Sequence, residues 1–184
     1  MIMVKVPRPG RVKTRLARDI GMVPATWWFR HQVRRLLRRI EDPRWDVVLA
    51  VAPDIEGITS RSWPMRFARW PQGRGDLGDR MVRVMRFAIG PVCVIGADVP
   101  GITRSHIAEG FAALGNHDVV FGPAADGGYW LIGAKLGSVL HPRALDGVRW
   151  SSEHALADSR AAFVRKRVAL IRTLADVDTG DDLP

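Results

Sequence analysis

A chain of 184 residues with one cysteine, Cys93, and one tyrosine, Tyr129, has few of the devices that staple small folds. One thiol cannot close an internal disulfide, and a chain of this length can bury a sufficient core without one. The five histidines, at 31, 106, 117, 141 and 154, are dispersed and offer no ligand set, so a structural zinc site is excluded. No apolar run approaches the roughly 20 residues needed to cross a bilayer. The start, Met1-Ile2-Met3-Val4-Lys5, lacks the longer apolar region and small-residue cleavage site of a secretory signal. The expectation is a cytoplasmic protein with no membrane partner. Lysine is scarce as well, since 24 of the 28 basic residues are arginine.

What is present is ordinary in amount and basic in balance. Hydrophobic residues make up 47% and charged residues 26%, which is the usage of folded chains, and a single domain over residues 1–184 is expected. A net charge of +9 favours polyanions in general. The arginines are spread along most of the chain, however, and do not form one block, which argues against a nucleic-acid partner.

Strand-length apolar runs alternate with helical patterns, the signature of a layered α/β domain with a mainly parallel sheet. Strands are expected over residues 2–6, 46–52, 92–95, 118–121, 129–132 and 168–174, with helices over about 25–40, 77–88 and 105–114. Ser151 is placed to cap a further helix running to about Val164. Residues 53–75 are less regular. Cys93, between Val92 and Val94, belongs to a buried strand and lacks the cations that would activate a nucleophile. The tryptophans at 27, 28, 63, 70 and 150 are expected to pack.

Five stretches carry candidate chemistry. Residues 5–16 leave the first strand with five cations in eleven residues, Lys5, Arg8, Arg11, Lys13 and Arg15, around Pro7, Gly10 and Thr14. At the carboxyl end of a strand such a loop cradles phosphate through side chains and backbone N–H groups, although its spacing is not that of a P-loop. In Gly96-Ala97-Asp98-Val99-Pro100 a carboxylate ends a buried strand, where it can bind a divalent cation or cap a turn. Asp126-Gly127-Gly128 suits either an acceptor contact or general base on a close-approaching backbone, or a hairpin turn. Gln72, Gly75 and Asp76 lie in a glycine-rich segment that enters a helix. They could approach a nucleotide, while Asp76 or Asp79 could equally be a cap. Asp176 and Asp178 share a face if extended, which would suit a cation, but an acidic tail frayed into solvent is the simpler reading.

Taken together, KVPRPGRVKTRLA (5–17), QGRGDLGDRM (72–81), IGADVP (95–100), GPAADGGYWLIG (122–133) and DVDTGDDL (176–183) resemble a bacterial GT-A-like family of glycosyltransferases, some linked to arsenosugar biosynthesis. The likeness covers nearly the whole chain in order. It implies the nucleotide-diphospho-sugar transferase fold, a Rossmann-like three-layer α/β sandwich with a mainly parallel mixed sheet. The family is also similar to cofactor nucleotidyltransferases such as phospholactate and molybdenum-cofactor guanylyltransferases. By that resemblance Arg11, Lys13 and Arg15 would contact phosphates, Asp98 would hold Mg²⁺ or Mn²⁺, and Asp178 would add a second metal contact. Asp98 stands in Gly-Ala-Asp-Val-Pro and not in the Asp-x-Asp of many GT-A enzymes, so another ligand must come from elsewhere. The shortness of the chain suits a small acceptor or a partner subunit, such as a second copy in a homodimer. Two reactions stay open: glycosyl transfer from a nucleotide sugar, and nucleotidyl transfer from an NTP with pyrophosphate release. A non-catalytic nucleotide- or RNA-binding module is the third alternative.

Overall fold

The computed structural model describes every residue except 176, 178, 183 and 184. Its frame is a seven-stranded sheet built from β1 (Ile2–Lys5), β2 (Val48–Ala52), β3 (Ala68–Pro71), β4 (Val92–Gly96), β5 (Val119–Pro123), β6 (Tyr129–Ala134) and β7 (Val168–Leu170). The order across the sheet is β3-β2-β1-β4-β6-β5-β7. β6 runs antiparallel to both of its neighbours, and every other pairing is parallel. This is the Rossmann-like nucleotide-diphospho-sugar transferase architecture.

The helices are α1 (Leu16–Ile20), α2 (Met22–Ile40), α3 (Asp54–Thr59), α4 (Leu77–Arg86), α5 (Arg104–Asn116) and α6 (Ala155–Ala162). Alternation along the strands explains the three layers, because successive side chains leave opposite faces of a sheet. Ile2, Val4, Leu49, Val51, Cys93 and Ile95 meet Phe29, Val33, Leu36 and Leu37 of α2 and Ile107 of α5. The intervening Ala50, Val92 and Val94 meet Met81, Val82 and Met85 of α4, and Phe163 just beyond α6. Both faces are therefore covered, as parallel sheets require. Burial of Cys93 pushes its thiol up to about 12, consistent with an inert packing residue.

Four expectations need correction. Residues 53–75 are not irregular throughout: they contain α3 and the edge strand β3. Neither shows an apolar run, because an edge strand contributes little to the core and α3 leaves Ile55 and Ile58 exposed. The last strand ends at Leu170, well before residue 174; the chain meets the end of β5 again at an isolated bridge between Ala124 and Leu174. Ser151 does not cap α6. It adopts a positive φ of 58°, and the helix begins after His154, once the chain has packed its Glu153 backbone beside Gly127. Finally, Trp27 is not packed inside but 55% exposed.

The connections place the loops that follow the parallel strands on one side. β1, β2, β3, β4 and β5 all point the same way, so the loops following each converge on the carboxyl edge of the sheet. The β5–β6 turn and the segment after β7 reach that edge too. In open α/β sheets this is where ligands collect.

Candidate functional site

The first loop is built to turn tightly and then to strain. Arg8-Pro9-Gly10-Arg11 closes a β-turn, with the Arg11 N–H donating to the Arg8 carbonyl at 3.0 Å. Proline presets the first central position, and the second needs the positive φ of 75° that Gly10 supplies. Val12 is buried while Arg11 and Arg15 stay exposed on either side, so the loop is anchored with cations outward. Lys13 then adopts φ 48°, a left-handed conformation uncommon outside glycine. Such strain persists where surrounding contacts enforce it, and here they are visible.

Those contacts join three chain segments. The Lys13 Nζ donates to Asp98 Oδ2 at 3.0 Å and to the Val177 carbonyl at 2.6 Å, and lies 6.0 Å from the centre of the Trp28 ring. The Lys13 side chain is only 7% exposed, whereas that of Asp98 is 39% exposed. A buried ammonium thus faces a carboxylate whose other side is open to solvent. The Val177 N–H in turn donates to the Asp98 carbonyl at 3.3 Å, and the Gly180 N–H to Asp19 of α1 at 2.8 Å. The C-terminal segment is stitched across the carboxyl edge beside the basic loop.

Asp98 is itself held from behind. Gly96 precedes it where a Cβ would stand 2.8 Å from Asp98 Oδ1, so the absence of a side chain makes room for the carboxylate. The Arg39 guanidinium, from the end of α2, donates to the carbonyls of Pro100 and Ile102. Nothing in the run of arginines distinguishes Arg39 from its neighbours in sequence, and its contact appears only with the fold. On α5, burial first and the nearby Arg172 second lower the His106 imidazole below its usual range. Its Nδ1 accepts the Thr103 N–H at 3.2 Å.

The other anticipated residues divide into solvent-exposed and structural placements. Lys5, Thr14 and Arg15 are exposed near the loop, and Pro7 is half-buried. Gln72 is buried, its amide donating to the carbonyls of Val4 and Ala50 at 3.2 and 2.8 Å, so it ties β1 to β2. Asp76 forms a reciprocal capping box with Asp79 at the start of α4 and also accepts the Trp150 indole N–H. Gly75 has φ 104°, and a Cβ there would invade the Asp79 side chain. Asp126 sits on the β5–β6 hairpin, where its exposed carboxylate accepts the Gly128 N–H at 2.9 Å. Gly127, at φ 85°, passes against the Glu153 backbone, and its carbonyl accepts the Leu156 N–H at 3.0 Å. The hairpin brings Asp126 to the same edge as Asp98 without a direct contact between them. Asp178 lies outside the described residues.

Among the described residues no cluster of three or more His, Cys, Asp or Glu forms a ready-made metal cage. One half-open carboxylate at a strand end does fit a cation of the Mg²⁺ type, which keeps several waters and takes one or two carboxylates together with substrate phosphates. No helix among the described residues is long and apolar enough to cross a membrane.

A family profile described as an uncharacterized protein conserved in bacteria, DUF2064, matches residues 36–152, more than half of the chain. The chain belongs to the DUF2064 family. It is similar, at 30% identity and a TM-score of 0.83, to a crystal structure from Desulfovibrio desulfuricans G20 named for a proposed nucleotide-diphospho-sugar transferase. That match covers 97% of this chain and 80% of the other. Two more distant structures share the fold alone. One is a hypothetical transferase from Thermus thermophilus, at 14% identity and a TM-score of 0.57, covering 100% of this chain and 99% of the other. The second is CMP:2-keto-3-deoxy-manno-octonic acid synthetase complexed with CTP, at 13% identity and a TM-score of 0.52, covering 98% and 92%. Among curated proteins none matches.

Proposed function

We propose that this DUF2064 protein is a transferase that binds a nucleotide diphospho-sugar at the carboxyl edge and passes the glycosyl group to a small acceptor. The observation that carries the reading is the convergence of the strained Lys13 and the strand-end Asp98 beside the outward-facing Arg11 and Arg15. The Desulfovibrio relative's name, at 30% identity over most of both chains, supports it.

Arg11 and Arg15, with Lys13, would bind the diphosphate and neutralise the charge that grows on it as the bond to the sugar breaks. Preorganised charge of this kind is worth most where water is excluded, and the 7% exposure of Lys13 meets that condition. Asp98 is the residue that would hold Mg²⁺ or Mn²⁺ against the phosphates, and the bound cation would supply Lewis-acid stabilisation of the leaving group. Arg39 would keep the Asp98 loop in register. Asp126, exposed on its hairpin, is the candidate to contact the acceptor hydroxyl or to take its proton.

A second reading keeps the site and changes the reaction. The density of cations in residues 5–15 suits a triphosphate at least as well as a diphosphate, and a structure of the same fold holds CTP. The acceptor would then attack the α-phosphate and pyrophosphate would leave. Product analysis separates the two: purified protein with Mn²⁺, a panel of nucleotide sugars or NTPs, and small hydroxylated or phosphorylated acceptors. Release of nucleoside diphosphate supports glycosyl transfer, and release of pyrophosphate supports nucleotidyl transfer. Absence of both across the panel, with RNA bound tightly, would replace either reaction with a binding role.

A further inference from the structure

We infer that the outer face of α2 docks the protein onto an anionic phospholipid bilayer, with the candidate site beside the contact, which departs from the expectation of no membrane partner drawn from the lack of a spanning segment. The inner face of this 19-residue helix is spent on the core: Phe29, Val33, Leu36, Leu37 and Ile40 are buried against the sheet. Its outer face does not resemble an ordinary solvated surface. At its first turns Val23 and Trp27 are 57% and 55% exposed on this face, and Met22, which opens the helix on the side facing Gly10, is 59% exposed. Farther along, Arg35 and Arg38 are exposed and Arg34 half-exposed, and the helix contains no acidic residue.

Among the described residues no carboxylate pairs with Arg34, Arg35 or Arg38, although the protein pairs many arginines elsewhere, such as Arg44 with Asp42 and Arg149 with Asp158. Charge on this face is left exposed, and a surface recognised through it would be anionic. Helical spacing puts residues 27, 31, 34, 35 and 38 on one stripe. Trp27 is preorganised on it, stacked on His31 at 5.4 Å between ring centres, with the Arg30 guanidinium 5.9 Å from its own.

Two features favour a membrane surface over a nucleic acid. Exposed Met22 and Val23 have nothing to gain from a phosphodiester backbone, but they gain from the acyl boundary below a headgroup layer. An indole flanked by apolar residues and arginines is suited to that interface, where one end of the ring is dry and the other wet. The helix also begins at the carboxyl edge, where Met22 Sδ lies 3.4 Å from the position of a Cβ on Gly10 in the phosphate-cradle loop. Docking by the first turns of α2 would set Arg11 and Arg15 near the lipid surface. This inference does not depend on which transfer reaction the site performs.

The experiment is co-sedimentation of the full chain with vesicles of phosphatidylcholine alone or with 30% (roughly a third) phosphatidylglycerol, at low and physiological salt. Binding is expected only to the anionic vesicles and should weaken as salt rises. R34E/R35E/R38E should weaken it by on the order of a hundredfold, whereas M22S/W27S should weaken it while leaving the charge intact. A control, R61E/R160E/R165E, alters the same number of exposed arginines elsewhere and should bind as the parent does. Melting temperatures verify folding, and R35E/R38E replaces the triple variant if Arg34 proves necessary for it. No binding to anionic vesicles at low salt, equal loss in the control, or displacement of vesicles by an RNA oligomer held on the same arginines would overturn the inference.

Discussion

The two edges of the sheet carry their charges in opposite ways. At the amino edge a cavity of about 670 Å³ is lined by Glu41, Asp42, Trp45, Asp46, Arg66 and Phe67. There Glu41 and Asp42 are held by arginines: Arg66 donates twice to Glu41, at 2.8 and 2.7 Å, and Arg44 clasps Asp42 in the same manner. The guanidinium hydrogen bond from Arg44 holds the Asp42 carboxyl down to about 2. At the carboxyl edge charges from distant parts of the chain converge, with Lys13 and Asp98 85 positions apart. Volume lined mostly by locally paired charges makes a surface cleft. Strain, convergence and half-open charge make a better candidate for function.

Breaking that contrast should have its largest effect at Asp98. Asp98→Ala is expected to lower turnover by about 100- to 1,000-fold, the range for removing one preorganised electrostatic contact. It should also cost about 1–3 kcal/mol of stability by depriving a buried ammonium of its carboxylate. Steady-state kinetics and denaturant melts on the same preparation separate the two effects. Gly127→Ala comes next. A positive φ and the facing Glu153 backbone leave no room for a methyl group, so a loss of about 1–3 kcal/mol is expected in a denaturant melt. Arg66→Ala at the other edge should leave the melting temperature close to the parent's, as for exposed ion pairs, and should leave nucleotide binding untouched.

The smallest effect concerns pH. His106 has a depressed pKa in the fold, so its contribution is fully present above its ordinary value near 6.5. As pH falls below that value the unfolded chain takes up the proton first, and the contribution is lost on passing through the lower, folded pKa. Melting temperature should therefore decline on acidification from about pH 7 to 5, and His106→Gln should flatten part of that decline.

How much of this could be read from sequence depended on whether a residue's role was local. The buried strands were legible because Val92, Cys93, Val94 and Ile95 form an apolar run between a Gly-Pro break and a glycine. α2 and α4 were legible from helical periodicity. β3 was not, since Ala68-Arg69-Trp70-Pro71 at a sheet edge buries little and so has no pattern to show. Asp98 and the basic loop stood out because strand ends concentrate ligands. Gln72 did not reveal its actual use, because the carbonyls of Val4 and Ala50 that it satisfies are 68 and 22 positions away. Asp76 and Asp126 each had two local readings, and the fold gives both a cap or turn contact while leaving them at the carboxyl edge. Arg39 and the Val177 carbonyl depend entirely on tertiary contacts, which no spacing rule encodes.

The central claim is that nucleotide phosphates bind at the carboxyl edge between the basic loop and Asp98. Its most direct test is thermal stabilisation by NTPs and nucleotide sugars with Mn²⁺, in the parent, Lys13→Ala, Asp98→Ala and Arg66→Ala proteins, since a ligand of the folded state raises its melting temperature. The account predicts a metal-dependent rise in the parent and in Arg66→Ala that is lost in Lys13→Ala and Asp98→Ala. A full rise in both site variants, or no rise in the parent with any nucleotide, would contradict it.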